Sequence, residues 1–565
     1  MPSEQDARMK AVMGALTGPG GLIETTLDAQ GRAVAAKLPA TIGDLFRFFC
    51  GEHGDEIALV AGDERLTYRE IDMWSERLAR ALAGGHGIRK GDRVAIAMRN
   101  APAWIVAYVA IAKAGGIATL VNGWWTPAEM AFGLELTTPS LIIADGPRAQ
   151  RLQESGYAGR IVGLPIEQPI AHALAPLIDG VAEAALPQVD ADDDATILFT
   201  SGSTGKSKGA VSTHRAVTTS TYCFVSLTAM LLGTFHGGDR KNLPSPPAAL
   251  VTVPLFHVTG EIPVFIASFV IQRKLVLMPK WDAGEALRLI EAEKVSYFVG
   301  VPTMSLELMQ HPERHKYDLS TLLDIAAGGA PRPPSHVPRL IESFPKGHPM
   351  MGYGLTETNA VGCTNCRDNY VAKPSSTGPA QAPFVEVAIF GEDGNALPAG
   401  ETGEIGIASA ANVRGYWDNA EATAAAFRPD GYFLTGDLGY LDEDGYLFIV
   451  DRVKDIIIRG GENISCIEVE SALYTHPDTA EACVFGLPDE RLGEVVGAVV
   501  RLRDGASADG AALTGFLAGR LAKFKLPARL WLVTEPMPRL GTGKIDRVAL
   551  RTSFRAQAAA DARAA

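Results

Sequence analysis

The stretch Ala195-Thr196-Ile197-Leu198-Phe199-Thr200-Ser201-Gly202-Ser203-Thr204-Gly205-Lys206-Ser207-Lys208-Gly209 decides how this chain is read. Its first five residues are apolar or β-branched and predict a buried strand. The ten that follow are small, hydroxylated or cationic. Small residues let backbone N–H groups converge on an anion, hydroxyls add donors, and Lys206 and Lys208 add charge, a chemistry that suits a polyphosphate. Spacing excludes two look-alikes. A Walker A loop needs glycine five residues before Gly205-Lys206, where Thr200 stands. A hydrolase nucleophile elbow needs glycine two residues before Ser201 or Ser203, where Phe199 and Ser201 stand. A flexible Ser/Gly linker has the same composition, so the loop must be read with its company.

Outward from the loop, helical patterning over Ile71 to Leu82, Pro102 to Lys113 and Ala283 to Glu293 alternates with β-rich runs. Those runs include Val94-Ala95-Ile96-Ala97, Leu141-Ile142-Ile143 and Val295-Ser296-Tyr297-Phe298-Val299. This alternation predicts an α/β fold with largely parallel sheets. From Val385 the texture changes to short strands separated by Gly391-Glu392-Asp393-Gly394, Pro429-Asp430-Gly431 and Asp442-Glu443-Asp444-Gly445. Asp-Gly supports hairpins because glycine accepts positive φ, so residues 385–450 read as a β-rich, barrel-like subdomain. Another mixed α/β segment follows Lys454 and runs to about Arg555. Residues 235–250 (FHGGDRKNLPSPPAAL) read as a surface loop or insertion, and the Ala-rich tail, 558–565, as a frayed end.

At 565 residues the chain exceeds one hydrophobic core, so two or more domains are expected. Its 52 basic against 65 acidic residues give −13, which speaks against a general nucleic-acid or acidic-membrane binder while permitting a local phosphate site. No apolar segment follows a basic one at the N-terminus, so no signal peptide is expected. The most apolar helical candidate, Ala101 to Leu120, is broken by Lys113 and Gly115-Gly116 and reads as a core helix running into a strand. Six cysteines are too few for a disulfide framework, and Cys363/Cys366 read as free thiols of a cytoplasmic protein.

The loop's company is Gly352-Tyr353-Gly354-Leu355-Thr356-Glu357, Thr435-Gly436-Asp437, Asp451-Arg452-Val453-Lys454, Gly460-Gly461-Glu462-Asn463 and Gly541-Thr542-Gly543-Lys544. These six motifs, in this order over residues 40 to 550, resemble the adenylate-forming superfamily of acyl- and aryl-CoA synthetases, peptide-synthetase adenylation domains and beetle luciferases. The resemblance implies a large N-terminal domain (1–450) of two α/β sheets plus the β-rich subdomain, a hinge at 451–454, and a small mobile α+β C-terminal domain (455–565). It also implies ATP, Mg2+ and coenzyme A.

Residue by residue, the residue types agree with what the resemblance implies. Thr200 and Ser201 to Lys206 would hold phosphates, with Thr204 among the catalytic groups. Tyr353, flanked by glycines, offers an aromatic face to a purine, with Gly329, Ala330 and Pro331 as the adenine-pocket turn. Gly354 and Thr356 border the nucleotide, and Glu357 is a hard oxygen ligand for magnesium. Asp437 would accept from ribose hydroxyls beside Arg452. Lys544 would bridge carboxylate and phosphates, where unit charges ~4 Å apart interact by about 4 kcal/mol at an effective dielectric near 20. Lys454 matches the pivot and Gly460-Gly461 the thiol tunnel. His257, in Pro254-Leu255-Phe256-His257, is expected to gate an acid pocket walled by residues 257–260, 299–303, 327–329 and 351–354.

Those walls are small and apolar and carry no Lys or Arg for a second carboxylate, so a fatty or aromatic acid is expected. Asn122-Gly123-Trp124-Trp125 also resembles bacterial acyl-CoA synthetases. The chain ends soon after Lys544 with no carrier domain, so a thiol delivered in trans, coenzyme A, is the expected acceptor. Loading of a carrier protein or an amine, and a non-catalytic nucleotide-binding relative, stay open at this point. The expected partners are small molecules, with no nucleic acid and no integral membrane segment; a homodimer is the assembly admitted.

Overall fold

The computed structural model describes residues 3–200, 207–330, 332–540 and 544–564. Among them, the apolar runs of the first half form two sheets. One runs in the order Gly415–Tyr416, Lys208–Thr213, Asp194–Thr200, Ile117–Leu120, Arg93–Ala97, Leu141–Asp145, Ile161–Leu164. Its last five strands are parallel, as the buried Val/Ile/Leu/Ala runs predict. The other runs Gly362–Cys366, His348–Gly354, Asp324–Ala327, Tyr297–Gly300, Ala248–Val251, Lys274–Leu277, Ile57–Ala61, Glu64–Thr67, with antiparallel strands only at its two edges.

The helix Pro102–Lys113 is buried at every position, and proline at its start supplies a pre-set φ. Its closing Lys113 is also buried, but Nζ reaches Asp72 at 2.6 Å and the Ser75 hydroxyl at 2.9 Å, so its charge is compensated. The helix His214–His236 is the one among the described residues long and apolar enough to cross a membrane, and 67% of its most apolar window is buried inside the fold.

The β-rich segment is a four-stranded antiparallel sheet: Glu386–Phe390, Gly403–Ala408, Phe433–Leu441, Leu447–Arg452. The expected Asp-Gly turns are present, with Gly394, Gly431 and Gly445 at φ of 78°, 85° and 80°. The last strand runs on through Asp451 and Arg452. Apolar clusters then change: one large core gathers residues 23 to 447, while separate clusters hold residues 457–530 and 483–558. The latter pack around a second mixed sheet built on Thr479–Asp489 and Gly493–Leu502.

Two local expectations are corrected. Within 235–250, the helix continues to His236, and Ala248 to Leu250 belong to a central buried strand, so only the part between them is loop. Four consecutive apolar residues in a parallel sheet outweigh the Pro-rich lead-in. Through residue 564 the Ala-rich tail does not fray: the last helix, Arg547–Ala564, includes it, and Arg529 holds Asp561 at 2.9 Å, while residue 565 lies outside the described residues. Alanine's helix propensity prevails over the terminal position.

Candidate active site

Four adjacent parallel strands, Ala248–Val251, Tyr297–Gly300, Asp324–Ala327 and His348–Gly354, bring their carboxyl ends to one rim. The segments expected to wall an acid pocket all belong to this rim, which is where open α/β sheets bind ligands. On it, His257 accepts the Thr259 backbone N–H at Nδ1 (3.3 Å), which places the ring proton on Nε2. Burial, and then the charge of Lys544, hold this imidazole down at about 3, so it is neutral at physiological pH.

Lys544 comes from the far end of the chain to the same rim. A Cβ built on Gly329 would stand 3.0 Å from Lys544 Cε and 3.1 Å from Nζ, and Gly329 has φ +74°. Close approach and left-handed backbone both call for glycine here. Burial, reinforced by Arg452 and opposed by Asp437, lowers the ammonium to about 8. The turn carrying Lys544 is closed by Leu540 N–H to Lys544 O and Asp546 N–H to Pro538 O, each 2.8 Å. Its Arg539 donates to Thr303 Oγ1 at 3.1 Å and pairs with Glu481.

Asp437 lies directly across the antiparallel ladder from Arg452. Arg452 Nε is 3.2 Å from its Oδ1, and the Tyr353 hydroxyl donates to Oδ2 at 2.7 Å. Burial raises the Asp437 carboxyl, while Arg452 and Tyr353 oppose that rise. Tyr353, Asp437, Arg452, Lys544, Gly329 and His257 therefore form one cluster. Gly354 belongs to its frame: a Cβ there would strike the Ala360 carbonyl at 2.2 Å.

Thr356 opens a single turn, Thr356–Thr358, that presents Glu357. Next come Asn359 and Ala360 at φ of 49° and 68°, left-handed conformations that cost non-glycine residues energy. Buried bonds hold them there. Ser212 donates to Asn359 Oδ1 (3.0 Å), Ser220 to its carbonyl (2.6 Å), and Asn359 Nδ2 to the Ala411 carbonyl (2.7 Å). Val413 N–H caps the Glu357 carbonyl at 2.9 Å. Glu357 itself is buried; Oε1 accepts the Tyr416 hydroxyl at 2.8 Å. Burial raises its pKa, with Tyr416, Lys208 and Arg452 acting against the rise.

A buried, hard carboxylate short of positive charge fits Mg2+. That ion usually takes one or two carboxylates and completes its shell with water and substrate phosphates. The described residues contain no group of three or more His, Cys, Asp or Glu able to hold a metal.

Among the phosphate-loop residues, Thr200 closes the strand Asp194–Thr200 and pairs with Lys208 of the next, antiparallel strand. A strand therefore follows the loop where a helix N-terminus would add its dipole. Ser201, Gly202, Ser203, Thr204, Gly205 and Lys206 lie outside the described residues, as does Pro331; Ala330 follows Gly329 in the rim turn.

Gly460 and Gly461, at φ of 60° and 90°, form the tip of the hairpin between Ile457–Arg459 and Glu462–Ile464. Gly460 bonds Leu492 there, and a Cβ on Gly461 would meet open space. Lys454 stands beside Arg547, Arg551 and Arg555 around a small cleft. Gly460, Gly461 and Lys454 thus lie with the C-terminal sheet. Cys363 and Cys366 lie in the core strand Gly362–Cys366, and burial pushes both thiols up, Cys366 to about 12.

Sequence reasoning missed Tyr416, Asn359 and the Arg539–Thr303 contact. Gly415-Tyr416-Trp417 carries a faint signal, an aromatic pair behind a glycine. Asn359 could have been found as a residue tolerant of left-handed backbone directly after Glu357.

Comparison with known proteins agrees with this geometry. Residues 46–417 match the family model for AMP-binding enzymes, and residues 468–544 match that for the AMP-binding enzyme C-terminal domain. The chain is 33% identical over 528 residues to a long-chain-fatty-acid–CoA ligase of Bacillus subtilis (strain 168), covering 87% of this chain and 91% of that protein. It is 35% identical over 498 residues to a feruloyl-CoA synthase of an Amycolatopsis species, covering 87% and 95%. The crystal structure of ATP-bound MatB from Rhodopseudomonas palustris superposes with a TM-score of 0.79 at 28% identity, covering 91% of this chain and 99% of that one. With one family model over most of the chain and its C-terminal companion following in order, the chain belongs to the AMP-binding enzyme family.

Proposed function

We propose that this enzyme activates a fatty or aromatic carboxylic acid with ATP and passes the acyl group to coenzyme A. In the first step a carboxylate oxygen attacks the α-phosphorus, the bond to the β-phosphate bridging oxygen breaks, and pyrophosphate leaves with acyl-AMP formed. In the second, the CoA thiolate attacks the acyl carbonyl and the bond to AMP breaks. The observation that carries this reading is Lys544, held over Gly329 beside neutral His257 and facing Asp437 and Arg452.

Lys544 would offset the charge that builds on carboxylate and phosphate, and a preorganised contact of this kind commonly contributes ~10²–10³ in rate. Neutral His257 would border the acid without adding a competing charge. Asp437 and Tyr353 would hold the nucleoside, and Glu357 the magnesium, whose charge when bound would neutralise the phosphates. Residues 451–454 would be the hinge between a domain ending near 450 and one beginning at 455, with Lys454 as pivot and Gly460-Gly461 beside the thiol path. Relatives named for a long-chain fatty acid and for ferulate bracket the proposed acid class. The test is a panel of carboxylic acids with ATP and CoA, read by thioester mass and by acid-dependent ATP–pyrophosphate exchange. No exchange with any fatty or aromatic acid, while ATP still binds, would overturn the reading.

A further inference from the structure

Tyr416 stands between two groups that no motif connects. It occupies the short edge strand Gly415–Tyr416, which pairs with Lys208–Thr213, so the ring is carried beside the strand that follows the phosphate loop. Its hydroxyl donates to Glu357 Oε1 at 2.8 Å. Lys208 Nζ, from the first residue of that strand, lies 4.6 Å above the ring centroid. The Tyr416 backbone N–H is held too, donating to Thr423 Oγ1 at 2.9 Å.

The consequence is geometric. A carboxylate rotates about its last torsion, and its two oxygens are equivalent until something distinguishes them. Here Tyr416 takes Oε1, which fixes the carboxylate plane and directs Oε2 away from that bond. Lys208, drawn to the negative face of the ring, ties the same plane to the strand behind the loop.

We propose that Tyr416 is a positioning residue for the metal-binding carboxylate, acting through Glu357 and braced by Lys208. This rests on the reading of Glu357 as the magnesium residue. Partners one bond behind a metal ligand typically contribute roughly 10–100-fold in metal affinity.

The test measures ATP binding to the full chain by calorimetry, without acid so that no turnover occurs, once in Mg2+ and once in EDTA. The ratio of the two affinities isolates the metal's contribution. Tyr416→Phe removes one hydroxyl and keeps the ring under Lys208; it should lower the ratio about tenfold and leave the EDTA affinity unchanged. Glu357→Gln should lower the ratio at least as much, and the double variant should add little. Tyr416→Leu, which also removes the ring, should in addition weaken binding in EDTA by releasing Lys208.

If Glu357→Gln lowers the ratio and Tyr416→Phe does not, the positioning role is overturned while the magnesium reading stands. If neither lowers it, the magnesium reading fails and the proposal with it. An equal loss in both buffers for Tyr416→Phe, with a lowered melting temperature, would mean the tyrosine serves the fold alone and also overturns it.

Discussion

The two ends of the site are built in opposite ways. Glu357 sits on a turn that the fold over-determines: two left-handed non-glycine residues follow it, and buried bonds from Ser212, Ser220, Ala411 and Val413 hold it. Lys544 sits on a turn closed mainly by its own backbone, and the Arg539–Thr303 bond joins that turn to the rim. The first end belongs to the large core; the second is delivered by a unit with separate apolar clusters. Charge can be placed by a rigid scaffold or by docking, and only the docked kind can be withdrawn between two half-reactions.

The largest effect should come from removing the docked charge. Lys544→Ala should lower acid-dependent ATP–pyrophosphate exchange by ~10²–10³, while thioester formation from supplied acyl-AMP survives. Equal losses in both assays would abolish the contrast between the two ends. At the rigid end, Asn359→Val loses buried bonds and forces a β-branched residue into left-handed backbone. It should cost about 2–5 kcal/mol in urea-induced unfolding; a change under half a kcal/mol would show that the turn is not over-determined.

The docked end also has a pH signature. In the proposed mechanism Lys544 works as a cation, and burial lowers its pKa to about 8. Exchange activity should therefore fall as pH rises through about 8, by up to about tenfold per unit beyond it. A flat profile to pH 10 would place the lysine in a more solvated setting. The smallest effect is expected from Thr303→Val, which deletes one acceptor of the partly exposed Arg539. Exchange should drop about two- to fivefold with ATP affinity unchanged, and a drop in ATP affinity would assign Thr303 to the nucleotide instead.

Much of this was legible in the residues. Parallel strands such as Arg93–Ala97 and Leu141–Asp145 announced themselves by unbroken apolar runs, and the Asp-Gly turns announced the antiparallel sheet. The rim at the strands' carboxyl ends was legible because its segments follow strands. What escaped was non-local. Tyr416 meets Glu357 across 59 positions, and Lys544 meets Gly329 across a greater distance still, so no local pattern encodes either meeting. Ala248 to Leu250 escaped for the opposite reason: a Pro-rich lead-in masked a strand that tertiary burial determines.

The bare backbone at Gly329 has a consequence for how this molecule can vary. A methyl at 329 would stand 3.0 Å from Lys544 Cε, so the ammonium stem would have to give way. The local φ of +74° would strain such a change as well. Positions 329 and 544 are 215 residues apart (544 − 329), yet they meet at one point in space. Neither can be altered in a descendant sequence without the other being answerable for the space.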